Sequence, residues 1–472
     1  MTAPRLTRRT VLAGAAGLTG CAGAIGVSGA LLLPRGAFAA PAPIALSAGP
    51  ARVPLVGAPH PDTAVWAYNG TVPGPVLRFR QGDTARIAFA NALPEPTTVH
   101  WHGLRVPNAM DGVPALSQTE VPAGGTFAYE FELKDAGTFW YHPHANSARQ
   151  VARGLSGAFI VEEAEPIRVD RELLWVLGDW RLTKDAAIAD DFGHPMDGSH
   201  AGRVGNTVTL NGAIVDEVPV RAGERIRLRL VNTATARVFA LEFNGHAPQI
   251  IALDGQPVTP HAPEDGKIRV APGQRTDLVL DLGGKPGERF DVIDSFFPRQ
   301  AYRLTRFVYA DGAPLRESPL DAPITLPPNP LPEPDLAQAV RQDVLIEGGA
   351  MGRLPHGMRM TPQGPFWALN GAAGTGHHPE PLITVKRGQT VVMQFVNETA
   401  WWHPMHLHGF PFRVLKVNGQ PNPRREWRDT VLFGPEETTE IAFVAEAPGD
   451  WMLHCHILEH QESGMMAVLR VA

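Results

Sequence analysis

Cysteine is nearly missing from this sequence: Cys21 and Cys455 are the only two among 472 residues. A fold stapled by several disulfides is thereby excluded. Charge is also scarce, at 19% of residues, and the net value of -6 comes without any basic run interleaved with aromatics. That removes the electrostatic footprint of a nucleic-acid-binding protein. Charge patterns that punctuate helices are few, whereas 48 Gly and 45 Pro are present, a balance that favours many strands and turns. The length allows about two to four domains, each able to bury a core.

The long uncharged run from Val11 to Leu33 follows Arg8 and Arg9 in "LTRRTVL" and precedes the small-residue stretch "AFAA" at 37–40. This reads as a twin-arginine signal over 1–39, cleaved after Ala39. Two other readings stand beside it. "LTGC", ending at Cys21, resembles a lipoprotein cleavage box and implies a lipid anchor, and an uncleaved anchor is the third, although Gly and Ala make the run a poor spanning helix. All three put the body of the protein outside the cytoplasm. The expected location is the periplasm, reached through the twin-arginine export machinery, with no stable membrane span in the mature protein. If Cys21 leaves with the signal, Cys455 has no partner for an internal disulfide.

Three stretches repeat one pattern: "YNGTVPGPVLRFRQGDTARIAFAN" from Tyr68, "LNGAIVDEVPVRAGERIRLRLVN" from Leu210 and "LNGAAGTGHHPEPLITVKRGQTVVMQFVN" from Leu369. Each runs Asn-Gly, turn, strand, Gly with a polar residue, then a strand ending in Asn. The strict alternation in "RIRLRLVN" is that of a half-buried strand. The spacing is too wide for a solenoid and fits an all-β chain of three tandem β-sandwiches. The division expected is 40–165, 166–320 and 341–472, with a Pro-rich connector at 321–340 overlapping the eight-proline stretch Asp311 to Asp335.

Histidine is unevenly distributed. "HWHG" at 100–103 and "YHPH" at 141–144 lie in the first repeat, "HPMHLHG" at 403–409 and "HCHILEHQESGMM" at 454–466 in the third, while the second has only scattered residues such as His194, His200 and His246. Ligand chemistry is therefore expected in the first and third repeats. Side chains at i and i+2 leave a strand on the same face. His100 with His102, and His142 with His144, thus point together, and in "HCH" the two histidines point one way and Cys455 the other. A thiolate, two imidazoles and a distant thioether make a mononuclear blue-copper set. Cys455, His460 and Met465 supply three of these, and His403 is the natural fourth. The other eight histidines are too many for one site and suit a polynuclear copper cluster. Zinc is the usual occupant of Cys/His clusters, but four His-x-His pairs with a lone cysteine match no structural zinc pattern.

These four motifs, in this order within three repeats, resemble the multicopper oxidases, the laccase and copper-efflux oxidase group, over nearly the whole mature chain. The resemblance implies cupredoxin-like Greek-key domains and four copper ions. Type 1 copper would be held by His403, Cys455, His460 and Met465, type 2 by His100 and His406, and the type 3 pair by His102, His142, His144, His408, His454 and His456. It also implies that a small-molecule or metal-ion reductant gives single electrons to the type 1 copper, and that dioxygen is reduced to two waters at the trinuclear cluster. Asp111 matches the acid that family members place near that cluster, and Asp-Gly is equally a common turn. Asp429, in "WRDTV", is expected near the type 1 histidines, to accept a phenolic proton or attract a metal cation. Trp401 and Trp402 either line the same entrance or fill the core.

Departures from the copper-efflux type bear on substrate. Gln461 stands where an acid commonly follows the histidine, with Glu462 next, and the methionine-rich insert shrinks to Met351, Met358 and Met360. The expected activity is oxidation of phenols or aromatic amines. Oxidation of cuprous or manganous ion is the second reading, and a non-enzymatic cupredoxin scaffold the last.

Overall fold

The computed structural model describes residues 42–353, 361, 364–374 and 380–472. Arg8, Arg9, Cys21 and Ala39 of the targeting segment, and Met358 and Met360, lie outside the described residues. The chain is a succession of β-sheets that pair into three sandwiches. In the first, Thr63–Tyr68, Ile44–Val53, Thr84–Asn91 and Thr126–Glu132 face a sheet of Gly74–Arg80, Gly157–Glu162, Gly137–His142 and His100–His102. The second has sheets of six and five strands between Arg171 and Tyr309, and the third has sheets of seven and five between Val340 and Val471. No helix or strand forms in the Pro-rich stretch between Tyr309 and Val340. Each sandwich closes over its own apolar core, with Trp101, Phe131 and Phe159 in the first, Leu228, Phe239 and Phe307 in the second, and Phe395, Phe443 and Trp451 in the third.

The repeat seen in the sequence has one physical cause at each position. Asn69, Asn211 and Asn370 all adopt φ near +50° beside a glycine of positive φ, a backbone that asparagine tolerates better than most residues. Their side-chain amides tie down Ala45, Leu174 and Asp343 respectively, by donating to those carbonyls. The strand-ending asparagines act alike: Asn91, Asn232 and Asn397 are buried, and each donates once to a carbonyl of the following loop (Glu95, Arg237, Trp401), once to a carbonyl far along the chain (Val121, Val270, Gly434), and accepts one N–H two residues on.

One strand departs from expectation. Arg225–Asn232 is buried on both faces rather than one. Its charged face is covered because Arg227 pairs with Glu163 and Asp277, and Arg229 pairs with Glu172 and donates to Thr138. Buried guanidinium groups are tolerated when each is paired and hydrogen-bonded. The alternation therefore marked a contact between the first and second repeats, not a solvated face.

Candidate metal centres

Strand pairing brings the histidine motifs together. His100 lies opposite His142 across the pair formed by His100–His102 and Gly137–His142. In the third sandwich His406 lies opposite His454, and Met405 opposite Cys455. Alternation then sorts the side chains: Trp101 and Cys455 turn into the apolar cores of their sandwiches, while the histidines on either side turn outward to meet one another.

Three histidine trios result, each with its ligand atoms within 4.8 Å of one another: His100, His102 and His406; His102, His142 and His456; His144, His408 and His454. All eight histidines are buried. Each of His100, His406, His142 and His454 donates through Nδ1 to a backbone carbonyl, of Asp111, Asp429, Pro143 and Cys455 respectively, at 2.7 to 3.0 Å. The opposite nitrogens converge, and Nε2 of His100, His142, His144 and His406, Nδ1 of His102 and both nitrogens of His456 have no hydrogen-bond partner. Unsatisfied buried nitrogens are costly singly, so this many converging on one space fit a metal cluster. Burial holds His102, His142, His144, His408, His454 and His456 well below the usual imidazole range, which keeps them in the neutral form that binds metal.

A fourth group surrounds Cys455. Its Sγ lies 3.7 Å from Nδ1 of His403 and 3.7 Å from Nδ1 of His460. Nε2 of His403 hydrogen-bonds the Thr399 hydroxyl at 2.8 Å, and Nε2 of His460 donates to the His200 carbonyl at 2.6 Å. Burial lowers the His460 imidazole to about 3 and pushes the Cys455 thiol up; a bound cation is what would favour the thiolate. Met465 is fully buried in the same apolar cluster as Cys455, and its backbone bonds both Cys455 and His460, whereas Met466 begins the next strand and is half-buried. Thiolate, imidazole and thioether together are the donor set of copper rather than of zinc or iron.

Two carboxylates flank the eight-histidine group. Asp111 Oδ2 accepts from His408 Nδ1 at 2.8 Å, and Oδ1 stands 3.3 Å from His100 Nδ1. Asp111 also closes a turn before Gly112. Asp429 is not where the sequence suggested. It is buried on the side of His102 and His406, 3.2 Å from His102 Nε2, and both of its oxygens face Arg275, at 2.8 and 2.5 Å. Burial alone would raise its carboxyl, but the Arg275 guanidinium overrides it and holds the group ionised. A carboxylate so enclosed neither lines an entrance nor meets a substrate.

Aromatic side chains surround the Cys455 group. Trp402 is 39% exposed and stands edge-on to Phe296, and Trp401 is half-buried, edge-on to the His200 ring, with its N–H on the Ala350 carbonyl. Trp367 packs on the rings of both His403 and His460. Arg275, Trp367 and His200 were not singled out as functional by their sequence positions, because nothing in their neighbourhoods repeats the histidine motifs. The second repeat thus supplies no histidine trio, yet reaches both sites through Arg275 and the His200 carbonyl. Glu459, beside His460, is buried with neither carboxylate oxygen partnered, and burial raises its carboxyl to about 8.

Family profiles described as multicopper oxidase match residues 54–166, 171–300 and 353–472. The chain is 29% identical over 458 residues to multicopper oxidase MmcO of Mycobacterium tuberculosis, covering 89% of this chain and 85% of that one. A solved multicopper oxidase from Pseudomonas thermotolerans is 35% identical, with a TM-score of 0.81 over 91% of this chain and 99% of that one. A multicopper oxidase from Campylobacter jejuni, described as a metallo-oxidase, is 25% identical with a TM-score of 0.75 over 90% of each chain.

Proposed function

Since the chain belongs to the multicopper oxidase family, copper-dependent oxidoreductases that use dioxygen, we propose that it is a laccase-like oxidase of phenols or aromatic amines. Four one-electron oxidations of the organic substrate balance the reduction of one dioxygen, with four protons, to two waters. The observation that carries the reading is the position of Cys455: its sulfur belongs to the group with His403 and His460, while the adjacent His454 and His456 belong to two different histidine trios. A few covalent bonds therefore join the two sites.

The ligand assignment follows these groups. Type 1 copper takes His403, Cys455, His460 and Met465, and type 2 takes His100 and His406. The type 3 pair divides into His102, His142 and His456 for one ion and His144, His408 and His454 for the other. When bound, the four ions supply the one-electron couples and the place where dioxygen is reduced. The chain supplies the rest. Carbonyls and carboxylates on the outer ring nitrogens of His100, His102, His142, His406, His408 and His454 fix the tautomer and aim of those imidazoles. Asp111 Oδ1, without a hydrogen-bond partner, is the atom placed to hold a proton beside the cluster.

An organic reductant is favoured by the aromatic residues Trp401, Trp402 and Phe296 beside His403. Oxidation of cuprous ion is the second reading, because Met351 is 82% exposed beside Ala350, whose carbonyl holds Trp401. Oxygen uptake by the copper-loaded protein separates them. Faster uptake with a dimethoxyphenol than with cuprous ion is expected, and a preference for cuprous ion would overturn the organic assignment. Export to the periplasm belongs to the same proposal; no helix among the described residues is long and apolar enough to cross a membrane. Replacing Arg8 and Arg9 by lysine is expected to retain the protein inside the cell in fractionation.

A further inference from the structure

Arg275 has no solvent exposure at all. It stands in the strand Arg275–Asp281 of the second repeat, the one that contributes none of the grouped histidines. Its side chain nonetheless reaches the other two repeats. Nε donates to the Thr138 carbonyl in the first at 3.1 Å, and Nη1 and Nη2 donate to the two Asp429 oxygens in the third. Nη1 also donates to the Gly273 carbonyl at 3.0 Å. Asp429 in turn accepts from His102 Nε2 and the Thr430 hydroxyl through Oδ1, and from His406 Nδ1 at 2.8 Å through its backbone carbonyl.

The close approach is built into the backbone. Gly103, the last residue of "HWHG", has φ +85°, and a Cβ there would collide with both the Arg275 guanidinium and the Asp429 carboxylate. Gly273, at φ +83°, would place a Cβ 2.8 Å from the His456 ring and 3.0 Å from the His102 ring. Glycine at these two positions lets the ion pair lie directly against the histidine strands. Behind it, Asp254 accepts from the Arg275 backbone N–H at 3.0 Å and from Arg428 Nε at 2.8 Å.

We propose that Arg275 is a positioning residue for the trinuclear copper site: it fixes Asp429 through two charge-assisted bonds, and Asp429 fixes the aim of His102 and His406. A bidentate guanidinium–carboxylate pair sets distance and orientation together, which a carboxylate alone between two imidazoles cannot do. The ligand-free repeat is thereby an obligatory part of the site, while the Cys455 group has no part in this network. The inference rests on the ligand assignment above.

The test uses the copper-loaded protein and reads the two sites separately. Arg275→Met removes the pair at similar length, Arg275→Lys keeps the charge but not the bidentate fork, and Arg227→Met removes another buried ion-paired arginine, bound to Glu163 and Asp277. Copper retention against a chelator and the type 2 electron paramagnetic resonance signal report the cluster, and the blue absorption band reports the Cys455 site. Arg275→Met is expected to weaken cluster copper by about 10–100-fold, the usual effect of losing an outer-shell partner, with the blue band kept. Arg275→Lys falls between this and the parent, and Arg227→Met changes neither signal. An unchanged cluster in Arg275→Met would overturn the proposal, as would joint loss of both signals in Arg275→Met and Arg275→Lys, which would assign Arg275 to general folding. Failure of the ligand assignment shows separately, as a missing blue band or type 2 signal in the unsubstituted protein.

Discussion

The group around Cys455 and the eight-histidine group are neighbours built on different plans. Every side chain of the first comes from residues 403–465, within a single sandwich, and its thiol lies inside that sandwich's apolar core. The second takes four histidines from residues 100–144 and four from 406–456, all turned outward from their own sheets. A site within one repeat needs only that repeat to fold. A site between repeats also needs them docked in register, so its geometry depends on ion pairs such as Arg275 with Asp429. Damage at the interface should therefore reach the histidine group first and spare the thiolate site.

The largest expected effect breaks the comparison from the other side. Cys455→Ser removes the sulfur ligand of its group, so blue absorption and oxidase turnover are expected to vanish together, while the type 2 resonance signal persists. A mutant that keeps either blue colour or turnover refutes the assignment of Cys455.

Asp111→Asn keeps the shape of the side chain but not its charge beside His100 and His408. A loss of about 10–100-fold in turnover or cluster copper affinity is expected, with the blue band intact. Steady-state oxygen uptake and copper analysis on one preparation decide it.

Acid sharpens the contrast in the copper-free protein. Unfolded histidines take up protons near pH 6.5, whereas the buried ones resist doing so, by burial, to lower pH. Protons then bind the unfolded chain preferentially, so stability is full above pH 6.5 and declines as pH falls below it. The decline is about 1.4 kcal/mol per pH unit for each such histidine. Thermal midpoints from pH 7 to pH 5 should fall steeply, and less steeply in His142→Ala or His456→Ala; equal slopes would contradict the account.

Trp402→Ala carries the smallest effect. An aromatic contact with a phenol ring is worth about 0.5–1.5 kcal/mol, so if the exposed Trp402 makes one, KM for a phenol should rise by about two- to tenfold with kcat and the blue band unchanged. No change in KM would remove Trp402 from the entrance.

Much of this was legible because strand alternation is local. His100 with His102, and His454 with His456 around Cys455, are fixed in direction by spacing alone, and the repeated asparagines marked the three sandwiches. What spacing does not carry is the docking of one repeat on another. Asp429 was placed near the type 1 histidines by analogy, yet it lies on Arg275, 154 residues earlier in the chain. The charged face of Arg225–Asn232 looked solvated for the same reason, its partners Glu163 and Thr138 belonging to the first sandwich. The division of six histidines into two trios likewise needed the first and third sandwiches set face to face.

Counting electrons against oxygen tests most directly whether the two sites work as one. In the copper-loaded protein supplied with excess dimethoxyphenol, oxygen uptake, substrate radical yield and peroxide are followed together. Coupling through Cys455 predicts four one-electron oxidations per dioxygen and no free hydrogen peroxide. Two oxidations per dioxygen, with peroxide released, would mean that the histidine group is not completing the reduction, and would contradict the account.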